Sequence, residues 1–268
     1  MSIGEINSLS NIEYDLRVSR GLVEGVSSVI QVGRAPSGIQ TTPSDVWSRC
    51  DAVPTQQIWI PPTAARVHNI ASLSASDNAG GIGAVSVTIY GLTSWTTPQV
   101  SETVTLNGVA NVATANAYVI IYKMVANAQS TTTNVGVNVG IIRATAQVNL
   151  TITAQIDASQ GQTQMAIYGI PSTQSLYIKS FWADMNDAAG GARIDAQLRI
   201  NLNPDVQRLG FISGANILLQ NQGSSGSTNQ LSITNPIPGP AIIKVQGIGS
   251  AADLDMTAGF SAYLIDND

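Results

Sequence analysis

A period of two runs through this chain and limits what it can fold into. Val148-Asn149-Leu150-Thr151-Ile152-Thr153-Ala154-Gln155-Ile156-Asp157 alternates apolar and polar residues for ten positions. Ile194-Asp195-Ala196-Gln197-Leu198-Arg199-Ile200-Asn201-Leu202-Asn203 does so again, and Val85-Ser86-Val87-Thr88-Ile89 is a shorter case. Successive side chains of a strand point to opposite faces, so each run predicts a strand with one face on a core and the other on solvent. That is the pattern of antiparallel sandwich strands. Helices are disfavoured from the other side. Lys occurs three times and Glu four times in 268 residues, and these residues build long solvated helices.

Turn signals punctuate the runs. Asn107-Gly108 separates Glu102-Thr103-Val104-Thr105-Leu106 from Val109 and predicts a hairpin. Gly80-Gly81, Gly190-Gly191 and Gly223-Ser224-Ser225-Gly226-Ser227 predict loops. The chain also repeats. Ile60-Pro61-Pro62-Thr63 is echoed by Ile170-Pro171-Ser172-Thr173, and Asp77-Asn78-Ala79-Gly80-Gly81 by Asp187-Ala188-Ala189-Gly190-Gly191, both at an offset of 110. Beyond the glycines the best match is at 109, Val85 with Ile194 and Ile89 with Leu198. The expected fold is therefore all-β: two tandem antiparallel β-sandwich domains, jelly-roll-like, over residues 51–147 and 148–268.

Residues 1–50 read differently. Val26-Ser27-Ser28-Val29-Ile30-Gln31-Val32 predicts one strand and Arg34-Ala35-Pro36-Ser37-Gly38 a turn. The remainder has no clean period, so the segment is read as an extended N-terminal arm with one strand. Arg17, Arg20, Arg34 and Arg49 lie in it. Such an arm either ties down on a neighbouring subunit, with Arg17, Arg20 and Arg34 as contacts, or folds back on its own first domain.

Composition narrows the chemistry. Only 11% of residues are charged and 5% aromatic; net charge is −5 and mean hydropathy +0.14. Ser, Thr, Asn and Gln fill the gap. Disorder calls for low hydrophobicity with high charge, and the chain has neither. There is no apolar run long enough to span a membrane and no apolar leader. Phosphate-backbone binding wants a basic stripe, so no nucleic-acid partner is expected. Five acids face four bases in residues 1–50, three face three in 51–147, and nine face five in 148–268.

With one Cys (Cys50) and one His (His68), an intrachain disulfide and a Cys/His zinc site are both excluded. His68 lies in Arg66-Val67-His68-Asn69-Ile70, which reads as a strand. There is no G-x-G-x-x-G, P-loop or G-x-S-x-G motif. Asp77-Asn78 and Asn186-Asp187 in glycine-rich loops carry oxygen ligands of the kind calcium takes, but a turn in which Asx bonds its own backbone explains them as well. No catalytic residue, cofactor or metal is expected, and the chain is not read as an enzyme. Trp95, after Gly91-Leu92-Thr93-Ser94, is a candidate contact residue for a carbohydrate or a protein if its loop exposes it; packing over the sandwich end is the alternative.

An ordered string of segments carries a family resemblance. It runs through Asp45-Val46-Trp47, Gln57-Ile58-Trp59-Ile60-Pro61, Ala71-Ser72-Leu73-Ser74-Ala75-Ser76-Asp77-Asn78-Ala79-Gly80-Gly81-Ile82-Gly83-Ala84 and Val87-Thr88-Ile89-Tyr90-Gly91-Leu92. It continues with Ser101-Glu102-Thr103-Val104-Thr105-Leu106-Asn107-Gly108, Asn138-Val139-Gly140-Ile141-Ile142 and Gly161-Gln162-Thr163-Gln164-Met165-Ala166-Ile167-Tyr168-Gly169-Ile170-Pro171. Over residues 20–268 this string resembles virion structural proteins of tailed bacteriophages common in aquatic phages. The resemblance implies a particle component, first of all a capsid decoration (cement) subunit. Such a subunit forms a homotrimer, sits on the outer capsid surface, and has the major capsid protein or another virion protein as partner. A tail, neck or fibre component is the alternative. No nucleic-acid or membrane contact is implied.

Overall fold

The computed structural model describes residues 13–49, 56–128, 138–186, 191–220, 225–229 and 235–267. Seventeen strands occur among them, and residues 13–19 are helical (α1). The sheets group into two sandwiches, each with the same wiring.

The strands of the C-terminal sandwich are β1 (Val26–Ile39), β2 (Ser44–Asp45), β11 (Gln174–Asn186), β12 (Arg193–Asn201), β13 (Ile212–Gln220), β14 (Ser225–Asn229), β16 (Ala241–Gly249) and β17 (Leu254–Asp266). One sheet runs β1-β17-β11-β14, with the two-residue β15 (Ile237–Pro238) beside β11. The facing sheet runs β16-β12-β13, and β2 and β10 (Ile167–Ile170) lie along the free edge of β16. Numbered one to eight along the chain, the eight strands fall in the orders 1-8-3-6 and 2-7-4-5. That is the strand order of a jelly roll, two Greek keys folded into a double sheet.

The other sandwich is inserted between β2 and β10. Its strands are β3 (Arg66–Ser72), β4 (Ala84–Leu92), β5 (Val100–Thr105), β6 (Val112–Tyr118), β7 (Ile120–Ala128), β8 (Ile142–Ala146) and β9 (Ile152–Ile156). Its sheets run β6-β3-β8-β9 and β5-β4-β7. β3 and β11 hold equivalent places, as do β4 and β12, so the sequence repeat near 110 residues is a repeat of structure. β9 stands beside β8 where β1 stands beside β17. Residues 161–163 bond to β7, through Ala126 N–H to Gly161 O at 2.7 Å and Thr163 N–H to Met124 O at 3.0 Å. They lie along β7 as β2 lies along β16.

The two leading strands of each repeat have therefore changed places. β1 and β2 precede the inserted sandwich in sequence yet complete the C-terminal one. The expected arm at 1–50 is not separate: β1 pairs with β17 over eleven positions, Val26 opposite Ile265 to Ile39 opposite Leu254. It folds back on its own chain, but on the second sandwich rather than the first. The expected boundary at 147/148 divides the β8–β9 hairpin, so the first sandwich extends at least to Ile156.

Four local expectations change with the tertiary contacts. Arg34–Gly38 continues β1 through an irregularity between Ala35 and Ile39 instead of turning away. Asn107-Gly108 does turn, with Gly108 at φ 60°. It carries the chain from β5 in one sheet to β6 in the other, so the two strands are not a hairpin. In the ten-residue alternation at 148–157, only Ile152–Ile156 is strand. Val148 and Leu150 hold φ of 80° and 56° in the hairpin loop, and Val148 is 81% exposed. Ser225–Asn229, inside a stretch expected to be loop, pairs with Phe181–Met185. Cys50 and Asp187 lie outside the described residues.

One contiguous apolar cluster runs through both sandwiches and their junction. Trp47 and Trp59, fully buried, stand where the chain leaves the C-terminal sandwich for the inserted one. Their indole N–H groups donate to Gln56 O at 3.1 Å and Thr153 O at 2.8 Å. Gly33 allows β1 to cross this junction. A Cβ there would come within 2.4 Å of Val46 O and 2.5 Å of Ala166 N, both backbone atoms that cannot move aside.

Candidate interaction surfaces

The polar groups that look most like chemistry are spent on architecture. Asp45, on β2, is fully buried. Its Oδ2 accepts from Lys244 Nζ at 2.6 Å and from Trp59 N–H at 2.7 Å; its Oδ1 accepts from Gln246 Nε2 at 2.9 Å. Lys244 also lies over the Phe211 ring at 4.3 Å. Burial pushes the Asp45 carboxyl above its ordinary range, and the Lys244 ammonium opposes that shift. A buried pair of this kind is a poor source of net stability, but it is costly to break. Here it sets the register of β2 on β16 and holds the first residues of the inserted sandwich.

His68 lies in β3 as expected and is fully buried. Its Nδ1 is 2.9 Å from Arg66 O, and its ring meets Tyr118 edge-on at 6.1 Å. Its Nε2 has no protein partner. Burial lowers its pKa to about 4, so the ring is neutral at physiological pH. The Tyr122 and Tyr168 rings lie 4.7 Å apart, tilted by 54°, and share Gln99 as a hydrogen-bond partner. Burial raises both phenols well above their ordinary value, so they remain protonated.

Asp77 explains the first copy of the glycine-rich motif. It is fully buried, and both oxygens are saturated by the protein. Oδ1 accepts from Ala84 N–H at 2.9 Å and Val139 N–H at 2.8 Å; Oδ2 accepts from Gly140 N–H at 2.8 Å and Ser72 Oγ at 2.5 Å. Its own carbonyl accepts from Gly108 N–H at 2.9 Å. Through its carboxylate and its backbone carbonyl together, Asp77 ties three loops at one end of the inserted sandwich. The turn reading holds for Asn78, whose Oδ1 accepts from Gly80 N–H at 2.8 Å; the Asp77 carboxylate instead reaches other segments.

That loop end presents Leu73, Ile82, Val109 and Val139 to solvent, with Ile82 at 60% and Val109 at 65% exposure. Leu73 and Ile82 come from the β3–β4 connection, Val109 from β5–β6 and Val139 from β7–β8. No charged side chain is exposed among residues 73–83, 107–111 or 138–140. Exposed apolar side chains grouped on an uncharged tip make it a candidate contact surface.

A second surface is the outer face of the β1-β17-β11 sheet. α1 packs on it: Tyr14 meets Tyr263 edge-on at 5.7 Å, and Lys179 Nζ lies 2.6 Å from Asp15 Oδ2 and 4.6 Å from the Tyr263 ring centre. Arg17 and Arg20 are exposed on and just after α1, and Arg34 is exposed on β1. The expected arm arginines thus share one side of the molecule. Trp95 does not join them. It is 7% exposed and belongs to the core, with its carbonyl accepting from Ser172 N–H at 2.7 Å. The contact expected at its loop is replaced by packing at the junction. The tryptophan that reaches the surface is Trp182, on β11. Strand alternation between Phe181 and Ala183 signalled its direction, but only the sheet order shows what lies beside it.

The fold is a pair of jelly rolls with exchanged leading strands, a class of antiparallel double sheet used in capsid and lectin domains. No known protein family matches the chain, and no curated protein matches it. Among solved structures, it is similar at low level to a structure of infectious bursal disease virus Gt strain. Identity is 14% over 91% of this chain and 73% of that one, with a TM-score of 0.24. The VP2 subviral particle of the same virus gives 13% identity over 90% of this chain and 71% of that one, with a TM-score of 0.23. T=1 particles derived from that virus give 14% over 91% and 70%, with a TM-score of 0.24.

Proposed function

We propose that this chain is a structural subunit of a virus particle, and specifically a decoration protein of a tailed-phage capsid. The observation that carries the reading is the uncharged apolar tip of the inserted sandwich, held in place by Asp77 and built for contact rather than solvation. The ordered segment string supports it from the sequence side. Its residues Asp45, Trp47, Trp59, Asp77, Asn138 and Gly161 all serve the junction or the loop end in the structure. In this reading the tip meets the major capsid protein, and the chain acts as a homotrimer on the outer surface. It has no catalytic step. Low charge density suits a surface repeated many times on a lattice, because like charges at close spacing repel.

Quantitative mass spectrometry of purified particles tests this. A copy number in the hundreds is expected; absence, or a few copies per particle, refutes it. Ile82→Asp with Val109→Asp is expected to release the subunit from particles while leaving it folded, since both side chains are exposed. A second reading, a tail, neck or fibre component that binds the host surface, is favoured by the partly exposed Trp182. It predicts few copies and a location at the tail.

A further inference from the structure

The outer face of the β1-β17-β11 sheet has a composition that the lattice reading does not use. Strand register aligns its residues in rows. Val32 of β1 stands opposite Gly259 of β17, which stands opposite Trp182 of β11. In the adjoining row Arg34 stands opposite Thr257, which stands opposite Asp184. Trp182 is partly exposed, and Val32, Arg34, Thr257 and Asp184 are exposed.

Gly259 determines how the indole lies. A Cβ on Gly259 would fall 2.5 Å and 2.9 Å from the Cζ2 and Cε2 atoms of Trp182. The ring therefore leans over the bare backbone of the central strand instead of standing between strands. Only glycine leaves this space, so the ring rests on a floor of peptide. Adjacent strands are about 4.8 Å apart and same-face neighbours along a strand about 6.8 Å apart. Asp184 and Arg34 thus stand at the two ends of the row beside the ring, at the reach of one to two sugar units. No hydrogen bond or ion pair engages either the Asp184 carboxylate or the Arg34 guanidinium among the described residues.

We propose that this face binds a neutral glycan, one pyranose ring stacking on Trp182 and its hydroxyls bonding to Asp184, Thr257 and Arg34. A pyranose has one face of C–H groups and a rim of hydroxyls. The C–H face matches the electron-rich face of an indole. Hydroxyls both donate and accept, which matches a carboxylate acceptor, a guanidinium donor and a threonine that is both. One charge of each sign selects an uncharged ligand over an acidic one. A protein partner would be expected to bury an apolar centre with its charges at the rim. Here Asp184 and Arg34 stand in the row next to the ring, with Thr257 between them. The inference does not depend on where the subunit sits in a particle.

Fluorescence isolates the site. Trp47, Trp59 and Trp95 are buried, which leaves Trp182 as the tryptophan open to a quencher. The full chain is titrated with neutral tetrasaccharides of glucose, galactose and N-acetylglucosamine, each to about 20 mM, a range that covers weak lectin-like affinity. At least one sugar is expected to shift the emission to the blue and to protect it from acrylamide. Trp182→Ala should weaken binding by at least about tenfold, with Trp182→Tyr retaining part of it, and Asp184→Asn or Arg34→Ala should weaken it by about threefold to tenfold. Unchanged melting temperatures of the Asp184 and Arg34 variants separate loss of ligand from loss of fold. The proposal is overturned if acrylamide quenches Trp182 freely and no sugar changes it. It is equally overturned if Trp182 is shielded without sugar and becomes quenchable on dilution, because a second copy then covers the face.

Discussion

Removing Lys244 tests whether the Asp45–Lys244 pair is the fastening between the exchanged strands and the C-terminal sandwich. In Lys244→Met, Asp45 keeps two donors, Trp59 N–H and Gln246 Nε2, and loses its counter-charge. Breaking one side of a buried pair costs about 3–5 kcal/mol. For a chain of this size each kcal/mol moves the melting temperature by about 2–4 °C, so a fall of roughly 10 °C is expected. The loss depends on pH in a definite direction. Without the ammonium, burial raises the folded-state pKa of Asp45 further above its unfolded value of about 4. A carboxyl raised on folding contributes stability below its unfolded pKa and loses it as pH rises. The deficit should therefore be small near pH 4 and grow by up to about 1.4 kcal/mol per pH unit above it, until the folded-state group ionises. Asp45→Asn in the Lys244→Met background removes the stranded charge. The double variant should be more stable at neutral pH than the sum of the single losses predicts, by at least about 2 kcal/mol. Urea unfolding followed by tryptophan emission reads this directly, since Trp47 and Trp59 lie beside the pair. A Lys244→Met deficit under about 1 kcal/mol, or one that does not change with pH, refutes the fastening argument.

Further outcomes follow from other buried or strained groups. His68 has a folded pKa of about 4 against an unfolded value near 6.5. Its contribution is fully present above the unfolded value and is lost as pH falls from there towards 4, by roughly 3 kcal/mol in all. His68→Leu should flatten that part of the stability–pH curve, measured by urea unfolding between pH 7.5 and 4.5. Asp77→Asn replaces one acceptor oxygen with an amide that faces two donors, at a cost of about 3 kcal/mol. Faster protease cleavage within residues 73–83 should accompany it. Val148 holds a left-handed φ that a β-branched side chain rarely adopts, so Val148→Asn should raise stability by about 1 kcal/mol in a thermal melt. Gly33→Ala should prevent β1 from docking, seen as loss of amide protection in β1 and β17 by hydrogen exchange.

Much of the architecture follows from local chemistry. Alternation at 85–89 and 194–199 determines strands with one buried face, because the side-chain period of a strand is two. The repeat near 110 residues determines two like sandwiches. Scarce Lys and Glu exclude long solvated helices. Local pattern fails where pairing partners decide. Val148 and Leu150 continue the alternation of 152–156, yet the β8–β9 turn takes them. Ser225–Asn229 has loop composition, yet the edge of β11 accepts it as a strand. Asn107-Gly108 is a turn in either case; whether β6 pairs with β5 depends on which sheet needs a strand.

The surfaces divide in the same way. The sequence marks Asp77 and Trp95 as residue types worth following, and says nothing of their exposure. Only the fold buries Trp95 at the junction, saturates Asp77 from three loops and lays Trp182 over Gly259, 77 residues away in sequence. The same holds for the exchange of leading strands. β1 and β2 would suit either sandwich by pattern, since both offer an equivalent edge. What assigns them to the C-terminal one is a set of contacts distant along the chain: β1 along β17, Asp45 with Lys244, and Gly33 passing close to Val46 and Ala166. Periodicity is a local property and survives in sequence. The choice between two equivalent partners is an energy difference between whole folds, and it exists only once both are built.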